Sequence, residues 1–343
     1  MSVTLVSTLV RVGELTNRTF VLPVVIFFPT SRCNSRCVSC DWWKASGADD
    51  LTLDEIRTLA VALPDLGTRL VLFSGGEPLL RPDVFQVADL FRARGLTLHL
   101  HTSGLHLELL AAEVSRSFSR VIVSLDASSE ALYRAIRGVD ALALIERGVA
   151  RLRRIAPDVE VMGRSTIHRF NFREVPRLIE HARAMCLDGI SFLTADVSST
   201  AFGRQMPPRA ESLALTLDEV AEFQEVVDDV INRFEEAFES GFVTDPPEKL
   251  RRLPQYYAAL CGQGAFPPVA CNAPYMSVVI EANGTVRPCF FHDAVGHLRR
   301  EPLPAIVRRN LPAFRATLSV PDNPVCRRCV CSMKTGWRNG PWS

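Results

Sequence analysis

From Leu22 onward, short apolar or β-branched runs alternate with longer segments whose apolar residues recur at helical spacing. The pattern predicts strands over 24–28, 69–73, 97–101, 120–125, 160–166 and 189–193. Helices are predicted between them over 52–63, 82–93, 108–116, 130–136, 142–155 and 173–185. Strands alternating with amphipathic helices imply parallel pairing through right-handed crossovers, so the fold class is α/β, an open partial (β/α)6 barrel. In such barrels the loops leaving the C-terminal ends of the strands form the active face. Residues 2–14 alternate loosely and suit either a short helix or a strand. Beyond residue 215 come a long amphipathic helix over 216–238 and a Pro-rich stretch over 246–268 that reads as a lid. A β-hairpin is predicted over 277–281 and 285–287 across Ala282-Asn283-Gly284. The expected units are an N-terminal extension (1–21), the barrel (22–215), a helix with linker or lid (216–268) and a small hairpin/helix domain (269–343).

The chemistry-bearing residues fall at the strand ends. Cys33, Cys37 and Cys40 form a CxxxCxxC loop after the first strand, and Gly75-Gly76-Glu77-Pro78 follows the second. Thr102-Ser103-Gly104 follows the third strand, and Ser124 and Asp126 share a face at the end of the fourth. Three thiolates so spaced can wrap one face of a 4Fe-4S cluster and leave its fourth iron without a protein ligand; a zinc knuckle is the plainer alternative. Adjacent glycines permit close approach of backbone to a ligand, and a carboxylate with carbonyls accepts from a cationic amine. Arg164 and Thr166 share a face of the fifth strand, where an inward Arg needs an anion.

Composition adds exclusions. Lys and Arg total 39 against 38 Asp and Glu, so no global field draws in nucleic acid or an anionic membrane. No apolar run spans a bilayer, and the N-terminus lacks signal-peptide organisation, which points to the cytoplasm. The ten cysteines of a chain in that reducing compartment are better read as metal ligands than as disulfides.

The CxxxCxxC loop followed by GGEP resembles the signature of the radical S-adenosylmethionine (radical SAM) superfamily. The resemblance implies a TIM-like partial barrel, a 4Fe-4S cluster on Cys33, Cys37 and Cys40, and S-adenosyl-L-methionine on the open iron. It implies that Gly75, Gly76, Glu77 and Pro78 contact the methionyl ammonium. Thr102, Ser124 and Asp126 would also serve the cofactor, the last two at its ribose or carboxylate, with Arg164 or its rival Arg137 meeting the carboxylate. Asn171 resembles a further family position and reads equally as a helix N-cap. Where the family often has an aromatic residue before the third cysteine, this chain has Ser39; Trp42 and Trp43 either supply the ring or pack the loop.

Cys271, Gly284 and Cys289, followed by the CxxC pair Cys326 and Cys329, resemble the twitch form of the SPASM extension, which holds an auxiliary 4Fe-4S cluster. Structural zinc suits the same four ligands, and Cys261 or Cys331 could replace one of them. The resemblance implies a flavodoxin or ferredoxin electron donor, cleavage to a 5′-deoxyadenosyl radical, and substrate oxidation assisted by the auxiliary cluster. Redox-neutral epimerisation is the alternative; it needs a barrel-facing thiol, for which Cys186 is the candidate. A small molecule is favoured over a ribosomal peptide, since residues before Leu22 leave no room for a leader-binding domain; the hydroxyls over 194–200 suit a polar ligand or a plain connection. A non-catalytic iron-sulfur or zinc sensor is the reading from another class, and it has no use for an ammonium-binding turn.

Overall fold

The computed structural model describes residues 2–208, 210–332 and 334; Met1, residue 209 and the expected C-terminal stretch over 333 and 335–343 lie outside them. The six expected strands form as β1 (Val24–Phe27), β2 (Leu70–Phe73), β3 (Thr97–Thr102), β4 (Arg120–Ser124), β5 (Glu160–Ile167) and β6 (Gly189–Thr194). Helices α1 (Val3–Thr16), α2 (Leu53–Ala62), α3 (Val84–Arg92), α4 (Leu107–Ser117), α5 (Glu130–Arg137), α6 (Leu142–Ile155) and α7 (Val175–Ala184) precede and connect them. Local chemistry sets the boundaries. Thr52 and Glu55 exchange side-chain-to-backbone hydrogen bonds in a capping box that starts α2, and Gly138 in the left-handed region ends α5.

All six strands pair in parallel, in the spatial order β6-β5-β4-β3-β2-β1. Along β5 every second residue is fully buried. Val161 and Ile167 join Val121, Val123 and the apolar stripes of α4 and α6 in the main core. Met162, Arg164 and Thr166 therefore face inward, away from the helices.

Residues 2–14 settle as helix. Ser2 caps α1, and its Val6 and Val10 pack with Val21, Val24, Leu70 and Met276 at the N-terminal end of the sheet's inner face. The predicted hairpin forms as β7 (Ser277–Ile280) and β8 (Thr285–Arg287), with a short β9 (Gly296–His297) beyond. Strand β7 also pairs in parallel with β1, Val24 opposite Ser277 through Phe27 opposite Ile280, so the described residues form one nine-stranded sheet. The periodicity of a strand carries its faces and not its lateral neighbour.

The stretch expected to be an open lid is largely helical. Pro247–Leu260 buries Leu250, Leu253, Tyr256 and Tyr257, and the Tyr257 hydroxyl donates to the Ile167 carbonyl at 2.6 Å. Pro247 opens the helix, where its missing N–H costs nothing. The predicted helix over 216–238 is Leu217–Arg233 followed by the short Glu235–Glu239. At the outer edge of β6, Val243 bridges Ile190 and the Asp245 carboxylate accepts from Phe192 N–H at 2.6 Å, so that edge is covered. No helix among the described residues is long and apolar enough to cross a membrane.

Candidate active site

The CxxxCxxC loop leaves β1 and is pinned at both ends. Near its start the Asp50 carboxylate accepts from the Thr30 and Ser31 hydroxyls at 2.5 and 2.8 Å. Further on, Arg36 N–H and Val38 N–H donate to the Arg137 and Ile136 carbonyls at the end of α5. Cys37 is buried, and Cys33 and Cys40 are partly so. The hydrogen bond with Cys40 draws the Cys37 thiol down to about 7 against the effect of burial, and the Arg137 guanidinium adds to it. Cys40 is pushed up by the same bond and by burial, and burial pushes Cys33 up to about 11. The buried Arg137 cation favours the thiolate form at all three, against the burial that raises Cys33 and Cys40.

The glycine pair lies directly on this loop. A Cβ at Gly76 would stand 2.2 Å from the Arg32 carbonyl oxygen, and one at Gly75, whose φ is +101°, 2.5 Å from the Phe28 ring. Glu77 N–H donates to that same Arg32 carbonyl at 2.8 Å. The Glu77 side chain turns inward, accepting from Thr102 Oγ1 at 2.8 Å, Leu79 N–H at 3.1 Å and Ser103 N–H at 2.6 Å. Glu77 and Thr102 thus strap the loops after β2 and β3 together, and Pro78 is buried at the start of a 3-10 turn.

Asp126 is also committed to the protein. It accepts from Arg137 Nη1 at 3.0 Å and from Thr166 N–H at 2.7 Å. Asn171 is not a side-chain cap; its amide donates to the Asp126 and Thr166 carbonyls and its oxygen accepts from His168 N–H, tying β4 to β5. Of the two rival arginines, Arg137 is thus taken. Arg164 stands opposite Ser124 on the inner face, with no side-chain hydrogen bond or ion pair among the described residues. Its charge reaches His101, whose imidazole burial holds down at about 3, and Cys331.

Trp42 packs edge-on against Phe28, with ring centroids 5.6 Å apart, and lies beneath Gly203. Trp43 donates its indole N–H to the Cys40 carbonyl at 3.2 Å. Both pack the loop. Periodicity gave no sign of the clamp opposite them, where Arg204 pairs with Asp196 at 3.0 Å and donates to the Ser39 carbonyl beside Cys40. Both charged side chains are almost completely buried, at 4% and 2% exposure. The hydroxyls over 194–200 were the feature legible in the sequence there, and they carry no sign of a buried ion pair.

Cys271, Cys289, Cys326 and Cys329 come together from the two flanks of the hairpin and the C-terminal segment. Each of Cys289, Cys326 and Cys329 is pushed up by burial, and others of the group raise it further. Cys331 belongs to the same neighbourhood, its N–H 3.4 Å from Cys329 Sγ, whereas the Cys261 thiol turns to the Leu215 carbonyl. His292, which the sequence did not single out, places Nε2 3.3 Å from Cys326 Sγ. Among the described residues no three His, Cys, Asp or Glu side chains converge tightly enough to hold one metal ion. Cys186 lies in the turn before β6, exposed and at the opposite end of the strands from Cys33, Cys37 and Cys40, so it is no barrel-facing thiol.

Comparison with known proteins agrees with this geometry. Residues 27–182 match the model of the Radical SAM superfamily and residues 271–330 that of SPASM, an iron-sulfur cluster-binding domain. The Fe-coproporphyrin III synthase of Methanosarcina barkeri (strain Fusaro / DSM 804) is 29% identical over 64% of this chain and 53% of its own length. A GTP 3′,8-cyclase from Marinobacter nauticus is 34% identical over 48% of this chain and 51% of its own. The chain thus spans about half the length of these relatives. Among solved structures, native anSMEcpe with bound AdoMet and a peptide superposes with TM-score 0.64 at 17% identity, covering 90% of this chain and 88% of that one. Streptococcus suis SuiB bound to S-adenosylmethionine gives 0.62 at 14% identity, over 94% and 75%. These two likenesses concern the fold. On these two matches the chain belongs to the radical SAM superfamily and carries a C-terminal SPASM iron-sulfur cluster-binding domain.

Proposed function

We propose that the protein cleaves S-adenosylmethionine reductively and uses the resulting radical to oxidise a small-molecule substrate in the barrel mouth. The observation that carries this reading is the contact of the Gly75-Gly76 turn with the backbone of the three-cysteine loop. Cys33, Cys37 and Cys40 would hold a 4Fe-4S cluster, and Cys271, Cys289, Cys326 and Cys329 an auxiliary one. A 4Fe-4S cluster held there, with S-adenosylmethionine, would supply one-electron reductive cleavage of the sulfonium to methionine and a hydrogen-abstracting 5′-deoxyadenosyl radical.

The chain's own residues position and shield. The Gly75-Gly76 backbone would receive the methionyl ammonium, with the carboxylate of Glu77 holding the turn in place. Arg164 with Ser124 would take the methionyl carboxylate, because Arg137 is committed to Asp126 and to balancing the thiols. Half-buried on the inner face of the sheet, this unpaired guanidinium has its charge and donors to offer such an anion. A flavodoxin or ferredoxin is the proposed electron donor and the cytoplasm the proposed location. Epimerisation loses its thiol candidate with Cys186 at the wrong end of the strands.

The test is anaerobic reconstitution, with dithionite and S-adenosylmethionine, followed by chromatography of 5′-deoxyadenosine. The full chain is expected to hold about eight irons and form the product. Replacing Cys33, Cys37 and Cys40 together by Ala should leave about four irons and abolish the product. Product from that variant, or none from the intact chain in the presence of cell extract, would overturn the proposal.

A further inference from the structure

A cleft of about 500 Å³ opens between the loop after β6 and the segment carrying Cys326 and Cys329, a volume suited to a small ligand. We infer that this cleft binds an anion, and that the substrate carries a carboxylate or phosphate group seated on Arg327 and Arg328. Calling the occupant the substrate rests on the proposed function; the anion site itself does not.

Four observations carry the inference. On one wall the carboxylate present, Asp196, is neutralised by Arg204 at 3.0 Å and accepts from the Ser198 and Ser199 hydroxyls, so it offers no free negative charge. Arg327 and Arg328, both exposed, also line the cleft and make no side-chain hydrogen bond or ion pair among the described residues; Arg328 lies over the Phe266 ring, 5.6 Å from its centre. Guanidinium groups so placed are forks for carboxylate or phosphate oxygens. Phe266, Phe291 and Val325 give the cleft apolar surface, so its occupant would combine a carbon body with a charged end. Finally, the two arginines are the residues between the cysteines of the CxxC pair. Ligation of Cys326 and Cys329 would fix the charged wall in place beside the auxiliary thiols.

The experiment is calorimetric titration of the reconstituted full chain with inorganic tripolyphosphate and, separately, with the aromatic tricarboxylate trimesate. Saturable one-to-one binding of at least one probe is expected, and which probe binds tells phosphate from carboxylate. Losing two charge-assisted contacts in R327Q/R328Q should weaken it about tenfold or more, while R327K/R328K recovers most of it. No binding of either probe, or equal binding by the Gln variant, overturns the inference. Equal binding together with a shifted auxiliary-cluster potential would assign the arginines to balancing thiolate charge instead. An equal loss in the Gln and Lys variants would likewise overturn it, since charge would not be what binds. Formation of 5′-deoxyadenosine by the unmodified chain is scored in the same preparation, so the anion site and the radical chemistry can fail independently.

Discussion

Gly76→Ala tests the joint on which the site depends. The added methyl would stand 2.2 Å from the Arg32 carbonyl oxygen, with the Arg32 carbonyl carbon and the Ser31 oxygen each at 2.8 Å. All three are backbone atoms of the cysteine loop and cannot rotate aside, so the turn must lift away. That movement stretches the hydrogen bonds from Gly76 N–H to Thr30 and from Glu77 N–H to Arg32. Overpacking costs roughly 1–3 kcal/mol and each weakened bond about 1 kcal/mol, giving about 3–5 kcal/mol in all. Gly95→Ala is the control: its φ is +74° but nothing lies within 4 Å of the new methyl, so only backbone strain of about 1–2 kcal/mol remains. Urea denaturation measures both, and 5′-deoxyadenosine formation shows whether the displaced turn still serves the cofactor. The reasoning is refuted if G76A costs no more than G95A, or if G76A forms product at the wild-type rate.

Further outcomes follow from buried charge and burial. Arg204→Met strands the Asp196 carboxylate and should cost about 3–5 kcal/mol in urea denaturation; an additional Asp196→Leu should recover part of it, and failure to recover would mean the pair is not the source. Burial holds His99 and His168 down at about 4 from 6.5, so each is neutral when folded. Their contribution is complete above pH 6.5 and is lost as pH falls toward 4, at up to about 1.4 kcal/mol per pH unit for each proton taken up. His168→Gln should therefore flatten that part of the stability profile, and an unchanged slope would count against it. Cys329→Ala should lose about four irons while Cys261→Ser loses none, as read by iron analysis of the reconstituted chain.

What could be read in advance was whatever depends on local period and spacing. Val121-Ile122-Val123 and its counterparts alternate faces on a pleat that one layer of helices covers, and such runs have few other uses. The order of cysteines and glycines along the chain likewise fixed which strand ends carry them. Long-range commitments were not legible. Asp126 and Glu77 looked free for a ligand, yet each is claimed by groups at least 11 residues away, Arg137 and Thr166 for one and Thr102 and Ser103 for the other. Pro247 and Pro254 disguised a helix because proline propensity counts against one before tertiary packing is known. Arg204 was invisible for the same reason: only the fold supplies Asp196 and the Ser39 carbonyl as its partners.

The side-by-side placement of β1 and β7 has a mechanical consequence. The first cysteine loop is suspended from one of these strands, and Cys271 and Cys289 flank the hairpin begun by the other. To move that loop away from the hairpin, the chain would have to break a ladder of four registered residue pairs in the interior of a sheet. The spacing of loop and hairpin is thereby held by main-chain geometry, leaving outer helices and surface loops free to vary without altering it.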